Sequence, residues 1–239
     1  MTGVATSDRA RGAVAEGIGT LLLVTAVIGS GIMGARMFPG EDGLALLANT
    51  LATGAALAAL ILALGPVSGA HFNPIVTVAD ASQGGLLWAD AAVYVVAQIV
   101  GGILGAIVAH GMFSEPAWLM ASTHARTGGA QFFSEIVATF GLLAVIWGCA
   151  RSRAETVPFA VAAYITAAYW FTASTSFANP AVTIARAFTD TFSGIRPVDV
   201  PAFIAAQIVG GASATLLFQW LMPPSRQTAS RVVVPRSRS

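Results

Sequence analysis

The sequence predicts an all-α integral membrane protein with six membrane-crossing helices and two half-length re-entrant helices, built as two inverted repeats. Three observations carry that expectation. Of the 239 residues, 56% are hydrophobic and only 10% charged, where a soluble domain carries about a quarter charged residues. Six apolar runs approach the roughly 20 residues that a bilayer requires. An Asn-Pro segment after the second run returns after the fifth, inside two stretches that match each other elsewhere as well.

The runs lie near 13–33, 44–64, 89–112, 132–150, 157–175 and 200–222. Residues 1–12 and 223–239 read as polar, mobile ends, and the first run lacks the flanks of a cleaved signal peptide. An even number of spans puts both ends on one side. Of the twelve arginines, Arg9, Arg11, Arg151, Arg153, Arg226, Arg231, Arg236 and Arg238 fall on the side of the termini, and Arg36, Arg126, Arg186 and Arg196 on the other. The bias predicts cytoplasmic termini in the cell inner membrane. Trp88, Trp147 and Trp220 near inner ends, and Tyr169 with Trp170 near an outer end, suit aromatic belts or bundle core.

The repeat shows in three matches. Ala15–Thr20 corresponds to Ser134–Thr139, Phe72–Ala79 to Ala178–Ala185, and Gln98–Gly102 recurs unchanged as Gln207–Gly211. Each half holds three spans, an odd number, so the halves run oppositely through the membrane and place a solute site at their midplane interface. The expected organisation is one channel-like domain over 1–239, with repeat one at about 13–112 and repeat two at about 131–222.

Each Asn-Pro segment reads as a loop followed by an apolar helix of about eight residues, some 12 Å long and too short to cross. Pro74 and Pro180 suit the first helical position, and Asn73 and Asn179 the cap. A lone Asn-Pro pair is ordinarily no more than a cap. Two copies in inverted halves bring two helix N-termini together at mid-membrane, where free N–H groups favour oxygen and repel cations.

These residues resemble the aquaporin, or major intrinsic protein, family. The resemblance runs from Ala13 to Met222 and rests on Ala-Glu-x-x-Gly-Thr at Ala15–Thr20, Ser-Gly-Ala-His-Phe-Asn-Pro-Ile-Val-Thr at Ser68–Thr77, Ser134-Glu135, and Asn179-Pro180-Ala181. It implies a right-handed helical bundle, a passive pore in each subunit and a homotetramer. Asn73 and Asn179 then become paired donors at mid-pore. The carbonyls of Gly69, Ala70, His71 and Phe72, and of Thr175, Ser176 and Phe177, become an acceptor ladder. Glu16 and Glu135, otherwise costly inside a span, become carboxylates that brace the re-entrant loops. His71 becomes a loop-bracing or pore-side group.

Two departures matter. Ile75 stands where the family usually has Ala, and Val182 where it usually has Arg. A filter guanidinium would supply donors, narrow the hole and repel cations, none of which valine does. Spacing from the motifs assigns the remaining filter positions to Thr53, Ala167 and Ser176, giving with Val182 a wide, uncharged opening. Arg186, one turn beyond Val182, is a vestibule candidate. The blander alternative pairs it with Asp190 at a helix C-terminus. Asp80, its counterpart, is expected to pair with a cytoplasmic arginine.

The functional expectation is a passive channel for water and small uncharged solutes: glycerol, urea, arsenite or methylated arsenicals. Bacterial members with a valine-type filter, some of which accompany arsenic resistance, resemble this chain. A water-selective aquaporin is the first alternative, and an ion-coupled secondary transporter or a closed structural protein are alternatives of other classes. Partners are membrane lipid and the solutes. A net charge of +1 offers no field for nucleic acid. The single cysteine, Cys149, reads as packing, and nothing calls for a cofactor, a metal or an enzyme activity.

Overall fold

The computed structural model describes residues 6–223. The arginines of the C-terminal tail, and the expected polar ends at 1–5 and 224–239, lie outside the described residues. Six long helices are α1 (Thr6–Met37), α2 (Asp42–Ser68), α4 (Trp88–Phe113), α5 (Gly129–Ser152), α6 (Val157–Phe171) and α8 (Val200–Leu221). Two short ones, α3 (Pro74–Ser82) and α7 (Pro180–Arg186), follow α2 and α6. The expected all-helical architecture is what the chain adopts.

Three boundaries differ from the apolar runs. The first helix begins at Thr6, so residues 6–12 extend it rather than forming a tail. Asp8 suits its positive N-terminal end, and Arg9 forms an ion pair with Asp90 of α4. The second helix reaches Ser68 with Pro66 in its last turn, and left-handed Gly69 (φ +93°) closes it. The fifth apolar run forms a helix that ends at Phe171, not near 175. Its 15 residues span about 22 Å, and the 3-10 turn Ala154–Thr156 brings the rod to about 28 Å.

Helix pairing follows the halves. α1 packs against α2 and α4, α5 against α6 and α8, and α2 against α6 joins the two sets. The short helices cross over: α3 lies on α4 and α8, α7 on α4, α8 and α1, and α3 meets α7. Lipid gives apolar helices no reason to associate, so close backbone approach has to do it. A Cβ on Gly101 of α4 would strike the Gly17 carbonyl of α1, and one on Gly210 of α8 would strike the Ile136 carbonyl of α5. Gly19 and Gly211 serve the short segments instead: the first admits the Phe72 ring, the second the Ile75 side chain.

Ile75 thus fills a notch on α8 and lines an outward-facing apolar groove, away from the interior cavity. Trp147 is buried core, as is Tyr169, while Trp88, Trp170 and Trp220 are exposed. Cys149 packs against the core.

Candidate functional site

The two re-entrant segments are shaped by their carboxylates. Glu16, fully buried on α1, takes the Ser68 hydroxyl (2.6 Å) and the His71 amide (2.9 Å) on Oε1, and the Phe72 amide (2.6 Å) and Gln98 Nε2 (2.7 Å) on Oε2. Glu135, equally buried on α5, takes the Phe177 amide (2.8 Å) on Oε1, and the Ala178 amide (2.9 Å) and Gln207 Nε2 (2.7 Å) on Oε2. The two glutamines continue to Thr77 and Thr183 at 2.8 and 2.9 Å. The duplicated Gln-Ile-Val-Gly-Gly stretches carry this signal in the sequence.

With their amides drawn toward a carboxylate, the loops cannot form helix. Ala70, Phe72, Thr175, Ser176 and Ala178 all adopt positive φ between 47° and 58°, at a cost of about 1–2 kcal/mol each. Among the described residues, no hydrogen bond is donated to the carbonyls of Gly69, Ala70, His71, Thr175, Ser176 or Phe177. The Phe72 carbonyl is different, because Asn179 Nδ2 donates to it at 2.8 Å. Its mirror image is Asn73 Nδ2 on the Ala178 carbonyl, also 2.8 Å. Ala178 was absent from the expected ladder.

Each asparagine also caps its helix. Asn73 Oδ1 accepts from the Ile75 amide at 3.0 Å, and Asn179 Oδ1 from the Ala181 and Val182 amides at 3.0 and 3.3 Å. Pro74 and Pro180 occupy the first helical turn. An amide group has two N–H donors. One from each asparagine crosses to the other segment, which leaves the second for the cavity both side chains line.

That cavity is walled by Leu23 and Val27 of α1, Leu57 and Ile61 of α2, Leu142 and Ile146 of α5, and Val161 and Ile165 of α6. About 60 Å³ of it is open to the centre of a water molecule, room for about four to six waters. Ala70, His71 and Phe72 line it from the first loop, and Ser176, Phe177 and Ala178 from the second. Gly69 and Thr175 do not, and Thr175 lines an outer hollow instead. His71 both faces the cavity and braces its loop, with Nδ1 3.1 Å from Thr77 Oγ1 and Nε2 3.6 Å from Asp80. Asp80 thus has His71 as one partner among the described residues, and the arginines of the C-terminal tail lie outside them.

Of the expected filter set, Thr53, Ser176 and Val182 line the cavity, but Ala167 is exposed on the far side of α6. Counting back from Asn179 fails because α6 stops at Phe171 and a seven-residue loop intervenes. The helix turns Val161, Ile165 and Tyr169 inward at four-residue spacing. Tyr169 lines the cavity, its hydroxyl 3.4 Å from Thr53 Oγ1. The opening is thus neither all small nor uncharged, for Arg186 reaches it too.

Arg186 does not pair with Asp190. Its Nε donates to the Ser193 carbonyl, and its guanidinium lies 3.4 Å from the centre of the Phe177 ring. Asp190 instead accepts from the Thr123 amide (2.7 Å) and hydroxyl (2.9 Å) in the connection between α4 and α5. Those bonds hold its carboxyl below the usual aspartate value. The same connection delivers Arg126, whose Nε donates to the Gly194 carbonyl at 2.7 Å and whose guanidinium lies 5.0 Å from the Phe177 ring. Burial lowers the Arg126 proton affinity, with Tyr169 and Glu135 acting in the opposite sense. Sequence reasoning had placed Arg126 only on the outer side. His110 pins this connection through the Trp118 carbonyl (3.0 Å) and Thr189 (2.7 Å).

Comparison with known proteins agrees with this geometry. The family model described as Major intrinsic protein matches residues 4–165 and 151–238. The chain is 55% identical to aquaglyceroporin AqpS of Rhizobium meliloti over 219 residues, 92% of this chain and 93% of the relative. It is 30% identical to Aquaporin Z of Bradyrhizobium diazoefficiens over 223 residues, 87% and 91% of the two chains. The solved aquaglyceroporin from Plasmodium falciparum superimposes with a TM-score of 0.71 at 22% identity, covering 90% of this chain and 98% of its own, a likeness of fold.

Proposed function

The chain belongs to the major intrinsic protein family and is a transmembrane channel of that family, and from that premise we propose that it conducts water and small uncharged solutes passively. The observation that carries the reading is the reciprocal clasp of Asn73 and Asn179, tip to tip beside a cavity with one apolar wall and one wall of unpaired carbonyls. A solute with a hydrocarbon edge and a hydroxyl edge fits both walls at once, which favours glycerol, with urea and arsenite or methylated arsenicals as further candidates. The name of the 55% identical relative, an aquaglyceroporin, supports the same choice.

Asn73 and Asn179 act as the mid-pore donors, holding a water's oxygen so that it cannot accept a proton from its neighbour. Thr53, Tyr169, Ser176 and Val182 form the constriction. Glu16 and Glu135 serve structure, since every oxygen is engaged by N–H or O–H donors. A coupled transporter would need one of them free to titrate. The chain works as one channel domain of two repeats, assembles as a homotetramer in the inner membrane and keeps both ends in the cytoplasm. The arginine bias supports that orientation. It performs no enzymatic step.

Stopped-flow swelling of proteoliposomes with water, glycerol, urea and arsenite in parallel tests the reading. We expect flux of water and of glycerol without any ion gradient. Water flux alone would make it a water-selective aquaporin, and flux that needs a proton or sodium gradient would make it a transporter.

A further inference from the structure

We propose that Arg186 and Arg126 together form an anion-holding site at the outer mouth, where a small singly charged oxyanion such as a sulfonate or carboxylate sits above the constriction. The inference rests on the channel reading. Arg186 is 2% exposed, and its Nη1 has no acceptor among the described residues. Its side chain lines both the central cavity and an outer hollow shared with Asp42, Asn49, His124, Arg126, Thr175 and Phe192. The hollow offers about 330 Å³ to the centre of a water molecule, against about 60 Å³ in the central cavity.

Both guanidiniums stack on the one Phe177 ring, at 3.4 and 5.0 Å. Their hydrogen-bond acceptors are neutral: Ser193 for Arg186; Gly194, Ser174 and Thr175 for Arg126. Among the described residues neither has a carboxylate within ion-pair distance. The nearby acids are engaged elsewhere, Glu135 by Phe177, Ala178 and Gln207, Asp190 by Thr123, and Asp199 by Arg196 and the Arg126 amide, which leaves exposed Asp42 as the acid on the hollow's rim. Two desolvated cations with neutral partners repel each other. An oxyanion between them offsets that repulsion, and the planar fork of a guanidinium matches an O–X–O edge. The charge that Val182 does not supply is therefore carried by Arg186, whose backbone lies one turn (about 6 Å) further along α7 and whose side chain reaches the central cavity.

The full chain in proteoliposomes, with sodium methanesulfonate on both faces, tests this by glycerol swelling. Dimethyl sulfone, an uncharged near-isostere, is the control. Methanesulfonate should lower glycerol permeability saturably, by at least about twofold, whether it lodges or passes through, and dimethyl sulfone should not. Arg186→Gln and Arg126→Gln should each raise the half-inhibiting concentration at least about fivefold, and Arg186→Lys less, because it keeps a point charge. Water permeability of the same vesicles reports a folded, open channel. Should Arg186→Gln fail to insert, the half-buried Arg126 decides. No inhibition of the wild type, or equal inhibition of wild type and Arg126→Gln, overturns the site. Vesicles without water or glycerol flux would overturn the channel reading instead.

Discussion

In the first half of the chain Glu16 gathers four donors, from Ser68, His71, Phe72 and Gln98; in the second, Glu135 gathers three, from Phe177, Ala178 and Gln207. Up to the asparagine the two segments are nearly superimposable in their chemistry. Beyond it they part. The nine-residue α3 ends in a tight turn over 83–87 into α4. The seven-residue α7 runs into a long segment, 187–196, that is stitched to the 114–128 connection by Met120, Ser122 and Arg196 amide bonds. The shared part holds two non-helical strands at mid-membrane, which is tolerable only where protein buries them or a wet cavity receives their carbonyls. The unshared part sets what enters.

The largest expected effect lies in the shared part. Removing a buried carboxylate leaves its donors unsatisfied at about 1–3 kcal/mol apiece, so Glu16→Ala and Glu135→Ala should each cost at least about 3 kcal/mol. Glu16→Ala should be the worse, having one more donor to strand. Denaturation of the folded protein in mixed micelles measures both. A greater loss for Glu135→Ala would show that the two clasps are not equivalent in the way their geometry suggests.

Next come the helix seams. Gly101→Ala and Gly210→Ala each drive a methyl into a facing carbonyl, of Gly17 and of Ile136. Overpacking of this kind costs about 1–3 kcal/mol. The two losses should agree with each other, because the seams are related by the repeat. The same denaturation measurement checks it, and a one-sided loss would break the comparison between halves.

What the sequence made legible follows the same division. Glu16 with Glu135, Asn73 with Asn179 and the paired glycines each occur twice, and repetition separates a structural requirement from chance. The misplaced features occur once. Ala167 was assigned by counting from Asn179 across a loop whose length no local signal reveals, and one residue of offset turns a helical side chain by about 100°. The Arg186–Asp190 pairing looked natural at four-residue spacing, yet Asp190 has gone to Thr123, 67 residues away. Arg126 sits in a polar connection where an arginine is ordinarily solvated, and only the folded chain brings it to Phe177.

Flux comes third. Val182→Arg places a long cation inside the constriction and should cut glycerol permeability at least about tenfold while water falls much less. Equal loss of both would mean that Val182 does not line the narrow region. Ala167→Phe, facing outward on α6, should leave both fluxes within about twofold of wild type, whereas Ile165→Phe should lower glycerol permeability, since Ile165 faces the cavity. Stopped-flow swelling distinguishes all three variants.

The smallest effect concerns the outer brace of the second half. Asp190 accepts the Thr123 amide and hydroxyl, and these bonds depress its carboxyl from the ordinary 3.8. A depressed carboxyl contributes its stability above the unfolded value and loses it as pH falls through the folded one. The exposed site makes the contribution small. Pepsin digestion reads it locally: cleavage within 114–128 should stay slow near pH 5 and quicken as pH falls below about 4. Asp190→Asn, which keeps an acceptor oxygen but cannot titrate, should remove most of that pH dependence. The turn at 83–87 is held among the described residues by Arg151 Nη2 on Gln83 Oε1 at 3.2 Å, a bond without a carboxyl, and should show no comparable change. If both connections opened together as the pH fell, the asymmetry between the two halves would belong to the bundle as a whole and not to the outer brace.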